Sequence, residues 1–125
     1  MHLIYVAAKF SGLQSNADRA EKITAALNRH IEGAIFIAPW LPMVRHWVDS
    51  GDSRARGIAL DLEAVKKCDA LIAVSPLEGG VRLEWDLAKN KLNASVHGDA
   101  FDTFGDLDGY AIDQIQDWVD DLGAF

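Results

Sequence analysis

Glu84 is the residue of this 125-residue chain whose type and place most invite a chemical reading. Between Val81 and Leu92, the residues Val81, Glu84, Trp85 and Ala88 recur at i, i+3 and i+4, so they share one helical face. That spacing puts a carboxylate among apolar groups inside the first helical turn. A buried charge requires a partner or a task. The helix N-terminus helps keep it ionised, and Gly79-Gly80 just ahead lets a ligand approach the backbone closely. The plainer reading is a first-turn carboxylate that only complements the helix dipole, and spacing leaves both readings open. Asp61 sits between Leu60 and Leu62 in a helix whose stripe is Ile58, Leu62 and Val65, which places it beside the core. An ordinary solvated helix residue would satisfy the same pattern. Glu78 and Asp69 are loop carboxylates that solvation alone explains.

Other side chains that carry chemistry lie near the start of the chain. Tyr5 falls in a first strand, where an aromatic is normally core with its hydroxyl at a partner. Lys9 and Ser11, just past that strand, suit an anion or ligand hydroxyls and are equally natural turn residues. His2, His30, His46 and His97 show no metal-ligand spacing, so no metal site is expected. No Gly-x-Gly-x-x-Gly follows the first strand and no Walker lysine motif occurs, which argues against a dinucleotide or ATP enzyme. Ser75 is not in a Gly-x-Ser-x-Gly elbow, so a hydrolase triad has no support. No cofactor is implied.

The elements that must position these residues alternate along the chain. Leu3 to Ala8 reads as a strand buried on both faces. A helix follows from about Ser15 to Ile31, with Ser15 or Asn16 as N-cap, Asp18 in the first turn and a stripe of Ala20, Ile23, Leu27 and Ile31. Ala34 to Ala38 is a second strand. A short helix around Met43 to Val48, an exposed loop over Asp49 to Ser53 and a helix from about Arg54 to Lys67 lead into a third strand, Ala70 to Ser75. After the Pro76 to Gly80 turn and the Val81 to Leu92 helix, Ala94 to His97 is the fourth strand. The acidic segment 98–125 holds a terminal helix, Tyr110 to Leu122, with Ile112, Ile115, Trp118 and Val119 at helical spacing. Alternating strands and helices imply one α/β domain over residues 1–125 with a mainly parallel sheet and right-handed crossovers. Such sheets bind ligands beyond the carboxyl ends of the strands. Here that address names the loops Ala8 to Gly12 and Ser75 to Gly80.

Composition narrows the partners. The formal charge of −7 argues against binding a nucleic-acid polymer, which needs clustered Lys and Arg, but leaves a small nucleotide possible. No apolar run approaches the roughly 18 residues of a membrane span, and the N-terminus lacks a basic leader with a cleavage site. Cys68 is the only cysteine, so the default compartment is a reducing cytoplasm.

Taken together, Ile4-Tyr5-Val6-Ala7-Ala8, then Asp61 ahead of Cys68-Asp69-Ala70-Leu71, then Glu78-Gly79-Gly80-Val81-Arg82-Leu83-Glu84 with Ala88 beyond, resemble the nucleoside 2-deoxyribosyltransferase-like superfamily. That group includes deoxynucleoside 5′-monophosphate N-glycosidases and a branch of small bacterial and phage proteins. The resemblance spans about residues 3 to 97 and rests on the order and spacing of the motifs together. It implies a flavodoxin-like doubly wound sheet of four to five strands with helices on both faces, in a homodimer or larger homo-oligomer. It further implies cleavage or transfer at the N-glycosidic bond of a 2′-deoxynucleoside or nucleotide. Glu84 would be the nucleophile, Asp61 and Glu78 its acidic partners, and Tyr5 the strand-one aromatic. Lys9, Ser11, Ser75, Gly79 and Gly80 would line the substrate. The family's strand-one loop is commonly Gly-Ser or Gly-Pro; here it is Ala8-Lys9, and Ser11 stands where the N-glycosidase branch places an arginine. A non-catalytic nucleotide-binding module on the same fold is the alternative, as is an interaction module using the acidic tail with exposed Trp40 and Trp47.

Overall fold

A computed structural model describes residues 1–46, 51–91, 94–97 and 109–122. In chain order its elements are β1 (His2–Ala7), α1 (Gln14–His30), β2 (Ala34–Ile37), α2 (Trp40–His46), α3 (Gly51–Lys67), β3 (Ala70–Ala73), α4 (Gly79–Asn90), β4 (Ala94–His97) and α5 (Gly109–Leu122). The strands form one parallel sheet in the order β2-β1-β3-β4. The fold is α/β, doubly wound and flavodoxin-like. β1 and β3 are the inner strands, and Ile4 to Ala7 and Ala70 to Ala73 are buried throughout. Their uninterrupted apolar runs fit strands covered on both faces. Because β2 and β3 flank β1 on opposite sides, right-handed crossovers put α1 on one face and α3 and α4 on the other.

Strand order reverses beside β1, and there the chain is stitched together. Val74 N–H donates to Ala7 O at 2.9 Å. Lys9 N–H donates to Ser75 Oγ at 2.7 Å, and Arg19 Nη1 reaches Val74 O at 3.0 Å. The strand-end loops named from sequence therefore meet at the switch point.

Several boundaries differ from the sequence expectation, each for a local reason. α1 starts at Gln14 with Leu13 as N-cap and no side-chain cap bond, so neither Ser15 nor Asn16 caps it. Asn16 instead donates Nδ2 to Phe10 O at 2.8 Å, tying the helix to the strand-one loop. Asp18 falls beyond the first turn, where Asp18 and Glu21 hold Arg45 of α2 at 2.8 and 2.9 Å. α2 begins at Trp40 because the indole Nε1 donates to Val6 O at 2.9 Å, pinning that residue on β1. Trp40 is 5% exposed, which overturns its placement on a partner surface. Trp47 to Ser50 lie outside the described residues, and Gly51 to Ser53, expected in a loop, open α3. α4 starts two residues before Val81, and Leu92 lies outside the described residues, as do 98–108 and 123–125. α5 packs through Ala111, Ile115, Val119 and Leu122, with Ile112 and Trp118 half-buried. Among the described residues no helix is long and apolar enough to cross a membrane.

The Trp40 bond is an economical test of this packing. Trp40→Phe keeps an aromatic ring but leaves the Val6 carbonyl without its buried donor, at a cost of ~1–3 kcal/mol. The urea midpoint should fall with the slope unchanged; a midpoint equal to wild type contradicts the anchoring role.

Candidate functional site

A strand turns alternate side chains to opposite faces, so Ile4 and Val6 point into one layer while Tyr5 and Ala7 point into the other. Tyr5 lies on the side of α3 and α4, since its hydroxyl feels the charges of Glu84 and Asp61. On α4 the buried positions are Val81, Glu84 and Ala88. Glu84 is 7% exposed, the one charged residue in the core of the described chain. Asp61, on α3, is half-buried with its Oδ1 sealed from solvent. Tyr5 Oη, Asp61 Oδ1 and Glu84 Oε2 have no hydrogen-bond partner among the described residues. Tyr5 Oη is near enough to favour the ionised form of Glu84, in a contact looser than a formed hydrogen bond.

Burial governs how these groups titrate. It pushes the Asp61 carboxyl up to about 7. It pushes Glu84 up to about 8, with the Tyr5 hydroxyl working in the opposite direction and the Asp61 charge adding to the rise. Burial first, then the charges of Glu84 and Asp61, hold Tyr5 as a neutral phenol far above its ordinary range. Two carboxyls of this kind can hold, share or pass a proton near neutral pH.

The remaining sequence candidates sit elsewhere. Glu78 is exposed at the N-cap of α4 and makes no side-chain cap bond. Lys9 and Ser11 are exposed. Ser11 takes φ 51°, a left-handed conformation that costs a non-glycine residue ~1 kcal/mol or more. Ser75 is half-buried and accepts the Lys9 N–H. Gly79 also has a left-handed φ of 51°, and a Cβ at Gly79 or Gly80 would meet nothing within 4 Å. Space beside that turn is open.

Three features escaped the sequence reading. Arg19 brings a guanidinium to the carboxyl end of β3; on α1 it precedes Ala20 of the apolar stripe, and nothing in the pattern marks it out. Cys68 is buried and adds to the electrostatic load on Tyr5, while burial and then Asp69 push its own thiol up to about 11. Asp69, read as a solvated loop carboxylate, accepts Leu3 N–H through Oδ2 at 2.8 Å and fixes the start of β1. Compared with models of known families and with curated proteins, the sequence matches none of either.

The raised carboxyls have a consequence for stability. A group whose folded pKa is raised contributes stability that is complete below its unfolded value and lost as pH climbs to the folded one. For Asp61 that window runs from 3.8 to about 7, and for Glu84 from 4.5 to about 8. Glu84→Gln cannot ionise, so its thermal stability relative to wild type should improve as pH passes from below 4.5 to above about 8. A Tm difference that stays constant over that range would contradict the burial of Glu84.

Proposed function

We propose that this protein is a member of the nucleoside 2-deoxyribosyltransferase-like superfamily that cleaves or transfers the N-glycosidic bond of a 2′-deoxynucleoside or nucleotide. One observation carries the reading: a buried Glu, a second carboxyl and a phenol share the layer between the sheet and α3–α4, and Tyr5 Oη, Asp61 Oδ1 and Glu84 Oε2 are buried there without a formed hydrogen bond among the described residues. A structural network would satisfy those atoms internally, whereas a binding site leaves them for a ligand.

In the first step the Glu84 carboxylate attacks C1′ as the bond to the base nitrogen breaks through an oxocarbenium-like transition state, giving a glycosyl-enzyme ester. Asp61 donates the proton that the departing base takes up. It fits that task better than Glu78, because its pKa of about 7 keeps a proton available near neutral pH and it acts directly on Glu84. Water or a second base then attacks C1′, displacing Glu84, and Asp61 accepts the proton of that nucleophile. Two displacements retain the anomeric configuration. The working enzyme is proposed as a homodimer or larger homo-oligomer, in keeping with exposed Leu60 and Leu83 on the adjacent helices α3 and α4.

The alternative is a nucleotide-binding module without turnover, and the strand-one loop favours it. Lys9 and Ser11 are solvent-exposed, and the Lys9 backbone is spent on Ser75. A panel of 2′-deoxynucleosides and their 5′-monophosphates, followed by chromatography, separates the two readings. Released base marks an enzyme; thermal stabilisation with the ligand unchanged marks a binder. Glu84→Gln and Glu84→Ala should lower base release by at least about a thousandfold, ~4 kcal/mol of barrier, and a fully active Glu84→Ala variant would overturn the mechanism.

The same scheme fixes the pH profile. Catalysis requires one proton on the pair, in the less populated arrangement with Glu84 ionised and Asp61 protonated, since Glu84 holds its proton the more tightly. The profile of kcat/KM should be a bell with its maximum between about 7 and about 8. Asp61→Asn cannot take up or release a carboxyl proton, so its profile should lose that bell shape.

A further inference from the structure

Among the described residues β2 is an edge strand, with β1 on one side only. Exposed strand edges invite pairing with another chain, and proteins keep them closed by identifiable devices. His2 N–H donates to Gly33 O at 2.9 Å. With Leu3 opposite Ile35 in a parallel register, alternation turns the peptide groups of Ile35 toward β1 and those of Ala34 and Phe36 outward.

Two of the outward-facing backbone positions are occupied by side-chain amides. Asn28 of α1 accepts Phe36 N–H through Oδ1 at 2.8 Å and donates Nδ2 to Phe36 O at 2.9 Å. Gln116 of α5 does the same for Glu32, accepting its N–H at 2.8 Å and donating to its O at 3.0 Å. Each amide offers one donor and one acceptor to a single residue, which is what a neighbouring strand would offer. The two pairs stand on either side of Ala34. Between them lies Ala34-Ile35-Phe36-Ile37, uncharged and rich in branched apolar residues, with Ile35 48% exposed. Such a run pairs well with a copy of itself.

We propose that the outer edge of β2 is a latent pairing surface for β2 of a second copy of this chain, held closed by the side-chain amides of Asn28 and Gln116. One role of α5 is then to carry Gln116 to the Glu32 peptide. The observation is independent of the site between the sheet and α3–α4, and any assembly of the intact protein uses a different surface.

Light scattering coupled to size-exclusion chromatography, at several concentrations, tests this on the full chain. N28A/Q116A should form a concentration-dependent species of at least twice the wild-type mass, with a wild-type far-ultraviolet spectrum. Adding Ile35→Lys puts a charge on the exposed edge and should return the mass to the wild-type value. A double variant with the wild-type mass overturns the proposal, as does a larger species that persists with Ile35→Lys. Should the double truncation fail to fold, Asn28→Asp carries the test. It keeps the acceptor for Phe36 N–H and loses the donor to Phe36 O, and the same increase or constancy of mass decides.

Discussion

Removing a carboxyl from water is costly unless something replaces the lost hydration. In this protein the cost is concentrated in one layer. The inner strand β1 turns Tyr5 toward α3 and α4, and those helices return Asp61 and Glu84 to the same place. The apolar remainder of the core has to offset that cost. β1 and β3 are buried along their length, and α1 seals the opposite face with Ala17, Ala20, Ile23 and Leu27. The raised carboxyls express the same balance in titration. Folding holds their protons more tightly than the unfolded chain does.

The fold supports the site by fixing the ends of its strands. Backbone and side-chain bonds from Lys9, Arg19 and Val74 join the loops at the switch point, and Trp40 ties α2 to the Val6 carbonyl. Arg45 then spans from α2 to Asp18 and Glu21, which are 69% and 68% exposed. Exposed pairs of this kind contribute little energy, so their effect is to set the register of α2 on α1 more than to hold it there. The indole bond, buried and directional, is the stronger attachment.

The architecture was legible because it rests on patterns longer than any one residue. Apolar runs separated by helical stripes determined the parallel sheet, and all four strands lie within a residue or two of where the sequence placed them. Spacing put Glu84 on the buried face of α4 with Val81 and Ala88. The expected place inside the first turn does not hold, because α4 begins at Gly79 and has no acidic residue in its first turn; Glu84 is a buried carboxylate beyond it. Helical spacing places Asp61 beside the core, where it is half-buried, but the sealing of its Oδ1 depends on contacts with other elements. What sequence hid were bonds between side chains and distant backbone. Trp40 to Val6, Asp69 to Leu3 and Asn28 to Phe36 have no signature in periodicity. Trp40 was misplaced on the surface for that reason. A tryptophan after a proline in an irregular segment looks exposed until a carbonyl is found to receive its N–H.

A buried glutamic acid that keeps its proton to about 8 is at first sight a poor nucleophile. The objection weakens once the charge of the reaction is considered. In the free site the Tyr5 hydroxyl favours the Glu84 anion, while burial and the Asp61 charge oppose it. In the proposed glycosidic cleavage, positive charge would develop on the sugar at C1′, next to the attacking carboxylate. In a site of low polarity that interaction is stronger than it would be in water. Burial that disfavours the carboxylate in the empty site therefore favours it when the oxocarbenium character appears. Stabilisation confined to that moment lowers the barrier, whereas stabilisation already present in the free site would not. In the proposed mechanism Asp61 would lose its proton to the base as Glu84 forms its bond, so the two carboxyls would not be charged at once.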